Sequence, residues 1–279
     1  MQILYAVVTL GGVGAFFGLL LGLAARFFAV ASDQRVEAVR EALPGANCGA
    51  CGYTGCNKFA EAVVEGEAPV NGCIPGGSIT TEEIAAIMGQ EVAAVKPMVA
   101  AVFCLGDRRR ASELFIYHGV PDCAYAQQYH GGFKACADGC LGLGNCVRAC
   151  PFEAISIGPN GLPKVDETKC GGCGLCVEAC PRGIIRLIPK DEQGHLVSCN
   201  SHERGRKVSN ACEVGCTGCK ACLRVCPHEA ITMEDNLAVI DLEKCDDCGL
   251  CVEKCRFNAI HPRCESEIED GVGPEAASA

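Results

Sequence analysis

Three observations predict an α+β chain built as a string of small modules behind one apolar helix. The first 25 residues carry no charged side chain. Cysteine supplies 25 of 279 residues, much of it at C-x2-C spacing, while tryptophan is absent and aromatic residues make up only 5%. A block beginning at Lys134 repeats itself from Asn210 without a gap, at an offset of 76 residues. A chain so poor in large side chains cannot fill its interior in the usual way, so sulfur-bound inorganic cores are expected in their place. An odd cysteine count clustered in short motifs argues against a disulfide framework and for a reducing compartment. The formal net charge of −10 excludes nucleic acid as a partner class, because phosphate binding needs a basic surface.

Residues 1–30 form the expected membrane anchor. An uncharged run of this length is enough to cross a hydrocarbon layer about 30 Å thick as one helix. A cleaved signal peptide is the alternative, but the basic n-region is missing and the first cation, Arg26, follows the apolar run. Arg26, Arg35 and Arg40 all lie beyond it, which puts the bulk of the chain on the cytoplasmic side of the cell (inner) membrane. Gly14, Gly18 and Gly22 fall on one helix face and would admit a close transmembrane neighbour. Frequent glycine in such helices is the plainer explanation.

Residues 31–95 read as a single-cluster domain. Val36, Val39 and Leu43 give an amphipathic helix that Pro44 and Gly45 end. Cys48, Cys51, Cys56 and Cys73 follow as C-x2-C-x4-C-x16-C among glycines, a self-contained set of four thiolates for a [4Fe-4S] cluster or for zinc. A helix over Thr80–Met88, opened by a capping box at Thr80 and Glu83, should close the domain. Residues 96–133 are a connecting segment. Its run from Pro97 to Cys104 is β-prone, and the triplet Arg108, Arg109 and Arg110 reads as solvated surface or as a docking point for an acidic donor or anionic lipid.

The strongest motif lies at Cys170, Cys173, Cys176 and Cys180-Pro181. Its C-x2-C-x2-C-x3-C-P spacing is the one that holds a [4Fe-4S] cubane. Thiolates suit the iron–sulfide core, and Gly171, Gly172 and Gly174 let backbone N–H groups approach it. The repeat carries a related motif at each of four places, so residues 134–190 and 191–264 are read as two tandem two-cluster ferredoxin-like modules. In such modules the fourth cysteine of each motif serves the other cluster. That rule groups Cys170, Cys173 and Cys176 with Cys150, and Cys136, Cys140 and Cys146 with Cys180. In the second module it groups Cys216, Cys219 and Cys222 with Cys255, and Cys245, Cys248 and Cys251 with Cys226. With the first domain, twenty cysteines make five clusters.

One set is irregular, because Leu143 stands where the second module has Cys219, and Cys136 is taken to supply the missing thiolate. Arg256 replaces the proline after Cys255. Short strands are expected at 154–157, 184–188, 230–233 and 237–240, as the hairpins of the two modules. Cys104, Cys123, Cys199, Cys212 and Cys264 remain. They are either buried apolar cysteines or, for the first four, the source of a sixth metal site. Residues 265–279 read as a disordered acidic tail.

This order of an uncharged helix, the segment LPGANCGACGYTGC and then CADGCLGLGNCVRACPFEAI resembles the B-component family of the Rnf electron-transport complex, its iron–sulfur subunit, in the long form with two ferredoxin units. The resemblance covers residues 1–264. It implies an iron–sulfur electron-transfer subunit with no catalytic substrate site of its own. Such a subunit takes electrons from soluble ferredoxin and passes them to other membrane subunits of an ion-translocating ferredoxin:NAD+ oxidoreductase. No G-x-G-x-x-G motif follows a strand, so no nicotinamide site is expected here. Two other readings stay open: a polyferredoxin subunit of a hydrogenase or molybdenum enzyme, and a structural protein holding zinc.

Overall fold

A computed structural model describes residues 1–27, 33–92 and 96–263. Cys264 and the expected acidic tail lie outside the described residues. Helix α1 (Gln2–Phe27) is 26 residues long, about 39 Å at 1.5 Å per residue. Its first charge is Arg26, in the last turn. Among the described residues no helix is long and apolar enough to cross a membrane. Several α1 side chains, at positions 2–4, 6, 8, 9, 25 and 27, are outside that description, so the spanning expectation stands on the sequence.

The first small domain packs α2 (Gln34–Ala42), α3 (Cys56–Glu65) and α4 (Gly77–Met88) around one core. Asp33 caps α2 by accepting from the Arg35 backbone N–H at 2.9 Å. Val39, Phe59, Val63 and Ile84 are fully buried between the helices. Gly66 and Gly89 end α3 and α4 in the left-handed conformation that glycine adopts without strain. The capping box expected at Thr80 is not present. Helix α4 starts three residues earlier, straight out of the 3-10 turn Ile74–Gly76, and Thr80 and Thr81 are buried inside it. The Thr81 hydroxyl donates back to the Gly77 carbonyl at 2.8 Å. Two glycines at the start hid that turn from the pattern, and Gly76 is required there because a Cβ would lie 2.6 Å from the Thr80 side chain.

The remainder is two units of like construction, with elements β1 (Met98–Val102), α5 (Cys123–Gln128), α6 (Asn145–Arg148), β2 (Ile155–Ile157), β3 (Pro163–Val165), α7 (Leu175–Glu178) and β4 (Ile185–Pro189) in the first. The second holds β5 (His195–Val197), α8 (Arg206–Ala211), α9 (Ala221–Val225), β6 (Ile231–Glu234), β7 (Leu237–Ile240), α10 (Leu250–Lys254) and β8 (Ile260–Pro262). β2 and β3 form an antiparallel hairpin, as do β6 and β7. β4 departs from the expected hairpin pattern and pairs with β1, Ala100 lying opposite Leu187. β8 likewise pairs with β5. The expected connecting segment thus supplies an edge strand to the first unit, because the exposed side of β4 would otherwise leave backbone groups unpaired.

Each unit has a core of short aliphatic side chains and cysteines. Ile155, Ile184 and Ile185 pack with Cys140, Cys146 and Cys176 in the first, and Ile231, Leu237 and Ile260 with Cys199, Cys222 and Cys251 in the second. The repeat extends to backbone detail. Gly142 (φ 69°) would put a Cβ 2.5 Å from the Gly161 carbonyl oxygen, and its counterpart Gly218 (φ 70°) one 2.7 Å from that of Asn236. Both turns therefore exclude any side chain. Gly142→Ala and Gly218→Ala should each lower stability by roughly 2–4 kcal/mol, combining left-handed strain with overpacking. Gly131→Ala, at φ 75° with open space around it, should cost only the strain, about 1 kcal/mol. Urea unfolding of the cofactor-loaded chain measures all three, and equal losses would refute the packing argument.

Candidate functional site

The first cysteine set is assembled by the turn between α2 and α3. Cys48, Cys51, Cys56 and Cys73 line one cavity of ≈ 330 Å³ together with Leu43, Phe59 and Pro75. Asn47 fastens the loop: its carbonyl oxygen Oδ1 accepts from the Cys56 backbone N–H at 2.9 Å, where α3 begins. Cys73 enters from the other side, buried ahead of the Ile74–Gly76 turn. Burial pushes its thiol up, and Cys56, Cys48 and Cys51 act on it electrostatically in the same direction.

In the first ferredoxin-like unit, Cys176 on α7 has Cys170, Cys173 and Cys150 within electrostatic reach, and burial pushes its thiol up to about 12. The Cys170 sulfur accepts the backbone N–H of Ala100 at 3.5 Å, a donor supplied by β1. Cys180, the last cysteine of that run, lies in a different cavity of ≈ 360 Å³, with Cys123, Cys140 and Cys146. Cys136 does not line it. The expected grouping of Cys136 with Cys140, Cys146 and Cys180 thus departs from the geometry, in which Cys123 takes that place. Asp122 caps the short helix α5 at 2.8 Å from the Ala124 N–H. The Asn145 side chain then locks Cys123 to the cysteine loop, accepting from the Cys123 N–H at 2.8 Å and donating to Asp122 at 3.0 Å. Since Asn145 directly precedes Cys146, Cys123 is held beside the position left without sulfur by Leu143.

In the second unit Cys216, Cys219, Cys222 and Cys255 line a cavity of ≈ 380 Å³. The Cys255 sulfur accepts the Ala259 N–H at 3.3 Å. Cys251 on α10 has Cys245 and Cys248 within electrostatic reach, and Cys226 packs in the same core. Cys219 and Cys248 are exposed, whereas the other described cysteines are buried or half-buried. Cys136 lies with Cys104, Cys199 and Cys212 around a fourth cavity of ≈ 370 Å³ between the two units.

These cavities suit a sulfur-bound inorganic core. Each presents four sulfurs on its wall with glycines and small apolar side chains between them. Among the described residues no group of three or more His, Cys, Asp or Glu side chains converges tightly enough to hold a single metal ion. Burial pushes Cys140 and Cys199 up to about 12 and Cys146, Cys222 and Cys251 up to about 11. Such thiols stay protonated near neutral pH unless a cationic core draws the thiolate form. Arg182 is the notable charge. It is buried, lines the cavity of Cys123, Cys140, Cys146 and Cys180, and donates to the backbone carbonyls of Cys136 (2.9 Å), Ala137 and Gly131. Two participants are placed differently from the sequence reading: Cys123, expected there only as a candidate for a separate sixth site, and the β1 backbone at Ala100, which it did not include. The broken C-x3-C-x5-C spacing and the 76-residue separation of Cys123 from Cys199 are the available signals for the first. Nothing in the sequence marks the second.

Comparison with known proteins agrees with this reading of the modules. A family model for an Fe-S cluster domain matches residues 43–75, and models for 4Fe-4S dicluster domains match residues 135–187 and 215–259. Over 92% of its length the chain is 45% identical to the B component of the Na(+)-translocating ferredoxin:NAD(+) oxidoreductase complex of Acetobacterium woodii, covering 77% of that protein. It is 42% identical over 92% of its length to the B component of the ion-translocating oxidoreductase complex of Methanosarcina acetivorans, covering 97% of it. Over 89% of its length it is 46% identical to the B component of the proton-translocating ferredoxin:NAD(+) oxidoreductase complex of Clostridium ljungdahlii, covering 88% of that protein. With about nine-tenths of its length aligned at 42–46% identity, the chain belongs to the B-component family of ion-translocating ferredoxin:NAD+ oxidoreductase complexes, the Rnf complexes.

Proposed function

We propose that the chain is a membrane-anchored electron carrier that takes electrons from soluble ferredoxin and delivers them to membrane subunits of such a complex. A [4Fe-4S] core supplies one-electron redox chemistry at low potential when bound. Five cysteine sets would hold such cores: Cys48/Cys51/Cys56/Cys73, Cys150/Cys170/Cys173/Cys176, Cys123/Cys140/Cys146/Cys180, Cys216/Cys219/Cys222/Cys255 and Cys226/Cys245/Cys248/Cys251. The observation that carries the reading is that the first three sets adjoin in order. Cys48 lies within electrostatic reach of Cys173, and Cys176 within reach of Cys146. The first domain abuts the first unit directly, a Cβ at Gly171 falling 3.3 Å from the Pro75 side chain.

The two ends of this series differ. The set of the first domain follows α1 most closely in the chain, while the exposed Cys219 and Cys248 lie in the far unit. Electrons from a soluble donor would therefore enter at the second unit and leave near the anchor. Helix α1 would span the cell membrane once, with the rest of the chain on the cytoplasmic side. Along α1, Gly14, Gly18 and Gly22 have open space where a side chain would sit, leaving room for a partner helix.

Arg182 would tune one site. A buried cation favours whichever redox state carries more negative charge, so it raises the potential of the site beside it. The second unit has Phe257 at the equivalent position, so the corresponding site there lacks this charge.

Removing residues 1–32 should convert a chain that resists carbonate extraction from membranes into one that is released by it, with its colour retained. Retention in the membrane after truncation would refute the anchor. Arg182→Met should lower the potential of the Cys123/Cys140/Cys146/Cys180 site on the order of 50 mV, roughly 1 kcal/mol for one electron. A redox titration followed by electron paramagnetic resonance reads that shift, and an unchanged or higher potential would count against it. Cys180→Ser should disturb the signal of the Cys123/Cys140/Cys146 site and spare that of Cys150/Cys170/Cys173/Cys176. The reverse pattern would disprove the crossed ligation.

A further inference from the structure

We infer that Cys104, Cys136, Cys199 and Cys212 hold a sixth iron–sulfur cluster, built into the seam between the two ferredoxin-like units. Their cavity of ≈ 370 Å³ falls within the range of the three other cysteine-lined cavities, ≈ 330 to ≈ 380 Å³. It too carries four sulfurs. A Cβ on Gly106 would lie 3.1 Å from the Cys212 sulfur and 3.7 Å from the Cys104 sulfur, and one on Gly139 would lie 3.4 Å from the Cys136 sulfur. The sulfurs thus lie close against glycine backbone, where a side chain would crowd them, as in the loops proposed to bind clusters elsewhere in the chain. The Cys104 and Cys199 sulfurs also accept backbone N–H groups, from Cys140 at 3.4 Å and Ser201 at 3.5 Å.

No single loop makes this site. Cys104 follows β1, whose neighbour Phe103 donates its N–H to the Ile184 carbonyl at 2.7 Å. Cys136 and Cys212 are equivalent positions of the repeat, brought to the two sides of residues 111–113. The Ser112 N–H donates to the Ala211 carbonyl and the Ala135 N–H to the Ser112 carbonyl, each at 2.9 Å. Cys199 follows β5 and is equivalent to Cys123. The two cysteines of that pair diverge for one reason: Cys123 fills the place that Leu143 leaves without sulfur, whereas Cys219 completes the second unit's set and frees Cys199.

Charge points the same way. Lys134 is 5% exposed, and its ammonium donates to the Gly106 carbonyl at 2.6 Å. Arg182 donates to the Cys136 carbonyl on the other side. Burying two cations beside neutral thiols would be costly, while four thiolates around an iron core leave a net negative charge that offsets them. The assignment also places every described cysteine. The 24 of them divide into six sets of four with none left over.

The site occupies the gap between the units. Cys104 lies within electrostatic reach of Cys140, and Cys199 within reach of both Cys136 and Cys216. It therefore stands between the Cys123/Cys140/Cys146/Cys180 set and the Cys216/Cys219/Cys222/Cys255 set. This role as a bridge rests on the electron-transfer reading, whereas the site itself rests on its own geometry.

Anaerobically purified full-length protein, assayed for iron, sulfide and zinc, tests the site. About 24 iron and 24 sulfide per chain, four for each of six cubanes, are expected. About 20 of each, with or without one zinc, would overturn the sixth site and leave the electron-transfer reading standing. A colourless, iron-free protein would overturn both. A Cys199→Ser/Cys212→Ser double variant should lose about four iron and keep the resonance of the Cys123/Cys140/Cys146/Cys180 site, while Cys123→Ser should alter that resonance. Full iron content in the double variant would overturn the proposal. Should that variant fail to fold, the iron count of the parent protein decides alone.

Discussion

Cysteine sulfur is both the ligand and the interior of this protein, and the rest of the structure depends on that double use. In each ferredoxin-like unit the most buried positions are shared between short aliphatic side chains and thiols, and no tryptophan is available to fill space. The sulfur-ringed cavities are walled by tight turns, such as that at Gly218, that leave no room for a larger side chain to fill them. The inorganic core is therefore part of the fold. Binding it supplies the cohesion that large apolar residues supply elsewhere, and folding and cofactor insertion become one event.

The same constraint explains the shape of the repeat. Each unit needs a strand from before its first motif, β1 in one case and β5 in the other, to cover the edge of its last strand. In the first unit that strand also brings the Ala100 N–H to the Cys170 sulfur, so its job is electronic as well as structural. Hydrogen bonds to cluster sulfurs raise the reduction potential. Among the many equivalent positions at which the two units differ, three lie at or close to the cysteines: Leu143 against Cys219, Arg182 against Phe257, Pro181 against Arg256. These differences fall next to the cysteines and change charge, ligand or loop geometry there, while the Gly142 and Gly218 turns remain nearly superposable in φ.

Between the units, the chain from 104 to 115 works as a splint. It bonds on one side to residues 133–135 and on the other to 211–213, and Lys134 buries its charge against the carbonyl of Gly106 within it. A flexible linker would let two electron-carrying units drift apart. Here the backbone hydrogen bonds of the splint fix their spacing.

The amino-acid sequence alone predicts the kind of modules, the cysteine triplets of the regular motifs and the crossed use of Cys150 and Cys180, and it carries the uncharged N-terminal run. These are legible because three sulfurs of a cubane come from one short loop, so their spacing is written locally, and because a repeat at an offset of 76 residues aligns what each loop must do. Which cavity Cys136 and Cys123 each line is set only by the tertiary structure. Cys104 in a β-prone apolar run looks like any buried cysteine, and Cys123 opens a helix of six residues. Their meeting points are set by β1 pairing with β4, by Asn145 reaching back to Cys123, and by the seam at residues 111–113, contacts spanning up to about a hundred residues that no local spacing encodes. The early start of α4 was hidden for a related reason: glycines that break a helix in isolation begin one here because the turn at Cys73 requires them.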